Sequence, residues 1–410
     1  MDAGHDPYVA LRSRPFRSFL SGMAAVFVAT QIQSAVLGWQ VYALTRDPLS
    51  LGLVGLAEAA PFLGLTLVGG WAADRLDRRL LAVASLAAVA LSGAALLALS
   101  LGALLSPAPL YAAQALAGIG RAFFRPTSAA LGSELVSREH YQNAATWRSS
   151  TFHTAMVVGP AVGGGLLALG GPALAYAVVV ALSAVGLLAL AAVGPRPRPE
   201  PPPGRLHHQL VDGIRFVLAQ RVLLAAMSLD LFAVLFGGAA ALLPVFAREV
   251  LGVGEVGFGF LRAAPAFGSV LMSVALVRVA QIDRAGRALL GSVALFGLTW
   301  IAFALSRSYA LSLALLAAGG ALDSVSVVLR STLVQSRTPQ ERMGRVSAVN
   351  SFFIGSSNEL GAFESGVAAR LLGLVPSVVV GGALTLVTVG VVAWRAPALR
   401  DLDRIGGARG

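Results

Sequence analysis

The sequence predicts an all-α membrane protein, twelve transmembrane helices in two six-helix bundles. Three observations carry this: apolar blocks long enough to cross a bilayer, arginines concentrated in alternate loops, and an internal repeat. Hydrophobic residues fill 56% of the 410 positions and charged residues only 12%, about half the charged share usual in soluble domains. A water-facing surface cannot be built from that composition. The apolar residues fall in blocks of roughly 20 to 25, separated by short breaks containing Arg, Pro or Gly, and each block as a helix crosses ~30 Å of hydrocarbon.

In chain order the blocks predict helices over 17–44, 49–73, 80–104, 108–132, 144–169 and 172–193. The second half gives 222–247, 256–278, 287–306, 309–333, 345–370 and 374–395. The start, MDAGHDPYVALRSRPFRSFL, lacks a cleavable signal pattern, and its apolar stretch runs on too far for a signal core. It reads as a short tail entering the first helix. Between the halves lies GPRPRPEPPPGR, residues 194–205, whose prolines favour extended polyproline structure over a packed core. After it Leu206, Leu210, Ile214, Val217 and Leu218 recur at three- and four-residue spacing, as in a helix lying in the membrane interface. The expected organisation is an N-terminal bundle over 1–193, a cytoplasmic linker with its interfacial helix over 194–221, and a C-terminal bundle with a short tail over 222–410. His207 and His208 do not make a metal site, because adjacent helical residues point apart and no third ligand is near.

All 31 basic residues are arginine and the net charge is +11, carried by a group that stays protonated under ordinary conditions. A nucleic-acid reading fails on distribution. Arg46, Arg248, Arg307 and Arg370 fall on one side of this topology, Arg121, Arg125, Arg262 and Arg330 fall at depth, and the rest fall on the side of the amino terminus. The positive-inside rule then places both termini and the linker in the cytoplasm, with the helices in a bacterial inner membrane. No cysteine is present, so disulfides and thiolate metal sites are excluded. There is no Walker loop, HExxH or GxSxG either, which argues against an enzyme and against a cofactor.

The repeat joins the halves. DRLDRR from Asp74 is echoed by DRAGR from Asp283, and GIGRAFFRPTSAALGSELVSREHYQNA by GGALDSVSVVLRSTLVQSRTPQERMGRVSA. One offset of about 200 to 210 residues relates both pairs, as a duplicated six-helix unit requires.

The segment GGWAADRLDRR, residues 69–79, ends an apolar helix with small residues, which let helices approach closely, followed by a dense charge cluster. An aspartate there can sit at the positive end of a neighbouring helix, and the arginines can pair with carboxylates at cytoplasmic helix ends. Here the chain resembles the major facilitator superfamily, whose signature between the second and third helices has the form GxxxDRxGRR. Gly70, Asp74, Arg75, Arg78 and Arg79 match, while Asp77 replaces the usual glycine, leaving the turn less free to adopt positive φ. The resemblance implies the major facilitator fold. It also implies a latch that closes the cytoplasmic side, with Asp74 facing residues 344–346 and Arg78 approaching Glu134.

VVGPAVGGG places Gly159, Pro160, Gly163, Gly164 and Gly165 together, a run that permits tight packing and a kink. It resembles the superfamily's GPxxGG motif, associated with antiporters. FFIGSSNELGAFESGVAARLLG also looks like the branch containing siderophore and macrolide exporters.

Ionisable side chains at bilayer depth are costly and demand a partner, water or a purpose. Those at issue are Glu58, Arg121, Arg125, His153, Asp230, Arg262, Asp323, Arg330, Glu359 and Glu364. Gln114, Arg121 and Ser128 are spaced by seven, as are Asp323 with Arg330, and Asn350, Ser357 and Glu364. The reading is polar stripes facing a water-filled cavity. In the resembled fold the first, fourth, seventh and tenth helices line that cavity, which gathers Gln31, Gln33, Arg121, Phe123, Phe124, Asp230 and Asp323 as substrate-binding candidates. Arginine with aromatic rings suits a ligand partly anionic and partly planar or apolar. The alternative for each residue is a structural ion pair, for example Arg121 with a neighbouring carboxylate. Glu58 reads either as part of an extracellular closure or as local packing beside Pro61.

Proton coupling needs a group whose protonation follows its exposure, since burial favours the neutral form of a carboxylic acid. The candidates are Asp323 first and Asp230 second, then Glu359 and Glu364, with His153 in reserve. The expected function is therefore secondary transport by alternating access, a proton-coupled exporter of a small amphipathic molecule such as a siderophore, drug or macrolide. A lipid or lysophospholipid translocator of the same fold is the alternative. The expected partners are the substrate, protons and the bilayer, with the chain acting as a monomer.

Overall fold

The computed structural model describes residues 6–102, 106–194, 206–278 and 283–403. Within them every regular element is a helix. The chain opens with a 3-10 turn and then runs through α1 (Arg14–Thr45), α2 (Pro48–Ala73), α3 (Arg78–Leu101), α4 (Ala108–Glu134) and α5 (Tyr141–Ala191). After the linker come α6 (Leu206–Ala219), α7 (Arg221–Gly237), the single turn α8 (Leu243–Val245), α9 (Glu255–Leu276) and α10 (Ala285–Leu305). The chain ends with α11 (Tyr309–Arg337), α12 (Gln340–Leu372), α13 (Leu374–Arg395) and the turn α14 (Pro397–Arg400). Nine helical stretches among the described residues are long and apolar enough to cross a membrane. One of these contains all of α5, and α4 and α12, which carry charges along their length, are not among the nine.

Two compact units hold these helices. One comprises the residues up to Thr45 and those from Ala57 to the linker; the other comprises Arg46–Leu56 and the residues after the linker. Residues 195–205 of the predicted linker lie outside the described residues.

In the N-terminal unit, α5 is two helices joined at Gly170 and Gly171. Gly171 has φ +68°, open to glycine without strain, and Pro172 starts the second arm. Both arms run along α1. A Cβ on Gly159 would collide with the Gln31 side chain, and one on Gly186 with Val26. Lipid supplies no hydrophobic drive between helices, so close backbone approach at small residues is what packs them. The same device sets α4 against its neighbours: Gly118 lies under the Glu58 carbonyl of α2, and a Cβ on Gly120 would lie 2.7 Å from the Ser85 carbonyl oxygen of α3. Around these contacts Phe16, Phe19, Met23, Leu86, Phe124 and Leu131 form one buried cluster.

The C-terminal unit repeats the pattern. Gly268 of α9 and Gly320 of α11 interlock, each blocked by a backbone carbonyl of the other helix, and Gly381 of α13 lies against Phe236 of α7. One prediction is corrected here. The stretch predicted as one helix over 222–247 is interrupted: α7 ends at Gly237, Gly238 takes φ −92° and ψ 61°, and a 3-10 turn, α8 and a π turn over Phe246–Val250 follow. Helix α6 docks on the start of α12, with Asp212 paired to Arg345 and the Arg342 guanidinium 5.3 Å above the Phe216 ring. The side chains of His207 and His208 lie outside the described residues.

Candidate functional site

The charged loop between α2 and α3 is a built structure. Asp77 caps α3, accepting from the Arg79 and Leu80 amides at 2.9 and 3.1 Å, which satisfies donors that a helix start otherwise leaves open. Its φ of −56° needs no glycine; the aspartate exchanges backbone freedom for a cap. Arg78 pairs with Glu134 at the end of α4 and donates from Nε to the Ala73 carbonyl at 3.0 Å. Arg79 reaches the Ala191 carbonyl of α5, and the Arg75 guanidinium lies 5.1 Å above the Trp71 ring. The close helix approach belongs to Gly69, which packs on Ala122; Gly70, the residue matching the signature, has open space beside it. Of the motif in α5, Gly159, Pro160, Gly163 and Gly164 are all buried. The matching loop of the second half is held differently: the Ala285 and Gly286 amides donate to the Asp403 and Leu402 carbonyls at 3.1 and 3.0 Å, tying α10 to the C-terminal tail.

The polar residues of the N-terminal unit form one chain. Arg121 pairs with Glu58, and its guanidinium lies 5.7 Å over the Phe62 ring. The other Glu58 oxygen accepts from Gln114 Nε2 at 2.6 Å, and Gln114 Oε1 accepts from Gln33 Nε2 at 3.3 Å. Gln33 Nε2 also donates to Ser92 Oγ at 3.0 Å, and Ser92 to the Ala113 carbonyl at 2.7 Å. The chain thus links α1, α2, α3 and α4 with one positive and one negative group. Burying such groups is tolerable only when each finds its partner.

The C-terminal unit gathers three charges. Asp230 of α7 and Arg330 of α11 are both buried and paired. Asp323, two turns before Arg330, lines a small cavity together with Asp230, Ser292 and Ser326. It also lines a second cavity of about 70 Å³ under Phe296, Thr299 and Trp300, enough room for water. Two carboxylates and one guanidinium leave a surplus negative charge beside wettable space.

The polar stripes are mixed: Arg121, Asp323, Asn350 and Glu364 are half-buried, while their stripe partners are buried. Gln33, Gln114 and Ser128 are buried in the N-terminal unit, and Ser357 and Arg330 in the C-terminal one, because each unit satisfies these groups by hydrogen bonds and ion pairs of its own. Phe124 belongs to the buried cluster, Phe123 is half-buried, and Gln31 lies beneath Gly159. Asp230 and Asp323 share a cavity. His153 is half-buried beside the Phe152 ring, and Glu364 is half-buried on α12. The Glu359 side chain lies outside the described residues. Glu58 is the member of this network that sequence reasoning left open, and Ser92 the one it passed over.

A two-unit helical architecture, a latched charge loop and charges held inside each unit define a membrane transporter. The sequence profile of the Major Facilitator Superfamily matches residues 19–362, and the chain belongs to that family. It is 31% identical over 345 residues to the enterobactin exporter EntS of Shigella flexneri, a match covering 79% of each chain. It is 30% identical over 347 residues to EntS of Escherichia coli O139:H28 (strain E24377A / ETEC), covering 79% of this chain and 80% of that one. The fold is similar to that of the POT family transporter PepTSo, with a TM-score of 0.76 at 15% identity over 95% of this chain and 99% of that one. The chain is a multi-pass membrane protein and a secondary transporter of small molecules.

Proposed function

We propose that this transporter is a proton-coupled antiporter that exports a small amphipathic molecule of the siderophore class across a bacterial inner membrane by alternating access. The similarity to enterobactin exporters over 79% of both chains carries the direction and cargo class. Twelve crossings follow when the two arms of α5 count separately and α4 and α12 cross as well. The arginine distribution supports cytoplasmic termini, and the protein acts as a monomer.

Asp323 carries the proton. A proton added there neutralises the Asp230, Arg330 and Asp323 group without breaking the ion pair, so the site can exist in two charge states inside one bundle. Asp230, Glu359, Glu364 and His153 stand behind it. The latch consists of Gly70, Asp74, Arg75, Asp77, Arg78 and Arg79 with Glu134, and Asp74 docks near residues 344–346 when the cytoplasmic side closes. Gly159, Pro160, Gly163 and Gly164 let α1 and α5 move as one rigid pair. Multidrug breadth and lipid translocation are tested by the same preparation. Purified protein in liposomes should move a catecholate siderophore against its gradient when a pH difference is imposed. Siderophore flux that ignores the pH difference, or scrambling of labelled lipid without it, contradicts the proposal.

A further inference from the structure

Arg125 and Arg148 take no part in either charge cluster. Arg125 is exposed on α4, one turn beyond Arg121, whose guanidinium repels it. Arg148 comes from the first turns of α5 and lays its side chain on that same helix. Its Cδ and Nε lie 3.1 and 3.3 Å from where a Cβ on Gly132 would stand, and its Nη1 donates to the Ala129 carbonyl at 3.4 Å. Residues 125, 129 and 132 share one face of a helix, because steps of four and seven return to nearly the same direction. The Arg148 guanidinium therefore sits about one turn, ~6 Å of rise, beyond the Arg125 backbone.

Neither cation has a carboxylate within pairing distance among the described residues. Glu58 of α2 and Glu134 at the end of α4 are taken by Arg121 and Arg78. Arg148 Nε is buried with no hydrogen-bond partner. Two uncompensated guanidiniums in membrane helices cannot face acyl chains cheaply, so the face that carries them is wetted. Beside them is an apolar plate: Phe152, one turn past Arg148 on α5, is 43% exposed, its ring held edge-on by Phe27 at 5.3 Å between centroids.

We propose that Arg125 and Arg148, with the exposed Phe152 ring, form a subsite for an anionic group carried on an aromatic ligand, so that the cargo enters as an anion. This rests on the transport reading and gives the cargo its charge; it also moves the anion contact from Arg121, which Glu58 neutralises, to its neighbours. Two guanidiniums from one face fit two separated negative charges better than one, and the ring beside them favours a planar body.

The test uses the full chain in phosphatidylcholine nanodiscs at one fixed pH, with naphthalene-1,5-disulfonate as probe and naphthalene-1,5-diol as its neutral counterpart. The wild type binds the dianion at least tenfold more tightly than the diol, and added salt weakens only the dianion. Arg125→Gln and Arg148→Gln each lower dianion affinity about tenfold and leave the diol unchanged. Arg125→Lys recovers most of the loss, and thermal melting confirms that each variant is folded. Adding phosphatidylglycerol leaves the dianion affinity unchanged. Equal binding of dianion and diol, no dianion binding at all, unchanged affinity in both Gln variants, or displacement by phosphatidylglycerol overturns the proposal; displacement assigns the face to lipid headgroups. Because no pH gradient is present, failure here is distinct from failure of proton coupling.

Discussion

In the N-terminal unit Arg121 is paired with Glu58, and the pair is anchored through Gln114, Gln33 and Ser92 to four helices. In the C-terminal unit Arg330 is paired with Asp230 just as closely, but Asp323 stands beside the pair and opens onto two cavities. The Glu58 cluster balances its charges and ties them by hydrogen bonds; the Asp323 cluster carries one carboxylate more than its guanidinium can neutralise. A balanced network changes little when protons come and go, because every proton would break a bond. A surplus carboxylate next to water can take a proton and lose nothing. Under the proposed mechanism the comparison sets a structural use of charge in one cluster against a coupling use in the other.

The largest effect that would break the comparison is on transport. Asp323→Asn should abolish the response to an imposed pH difference, down to the level of liposomes without protein, while the melting temperature in detergent stays at or above that of the wild type. A retained response would show that the surplus charge is not the coupling group. Next, Asp230→Ala in the Asp323→Asn background leaves Arg330 buried without a counter-charge and should destabilise the protein by about 3–5 kcal/mol; adding Arg330→Met should return most of that stability in the same melt. Smaller again, Glu58→Gln keeps an acceptor for Gln114 but strips Arg121 of its counter-charge, so a loss of about 1–3 kcal/mol is expected. Its pH-driven flux should persist, which sharpens the contrast with Asp323. Smallest, Asp77→Ala removes the cap of α3 and should cost about 1 kcal/mol in the same melt.

Much of this arrangement is legible in the sequence. The Arg78 to Glu134 pair is what the resemblance of the charge loop to the family signature implies, and the chain break at Gly170 and Gly171 is written as Gly-Gly-Pro. Asp323 stands out as an acid in an apolar helix. The Glu58 to Arg121 pair is harder, since the two residues belong to different helices and meet only because Gly69 and Gly118 let α2 and α4 approach in one rotation. A seven-residue polar spacing says that a face exists and leaves open whether the face meets water or another helix. On that face Gln114 and Ser128 are buried within the unit, while Arg121 between them is half-exposed. The interruption after Gly237 is hidden because the run continues apolar through Ala239–Phe246. Arg125 and Arg148 carry no signal in sequence that sets them apart from Arg121, because what distinguishes them is the absence of a counter-charge in three dimensions.

The division of labour between the two units can be read without knowing the cargo, by difference infrared spectroscopy of the carboxylic C=O stretch as pH is lowered on reconstituted protein. The wild type and Glu58→Gln should show a protonation band that Asp323→Asn lacks. A band that survives in Asp323→Asn, or disappears in Glu58→Gln, would place the titrating group outside the C-terminal cluster.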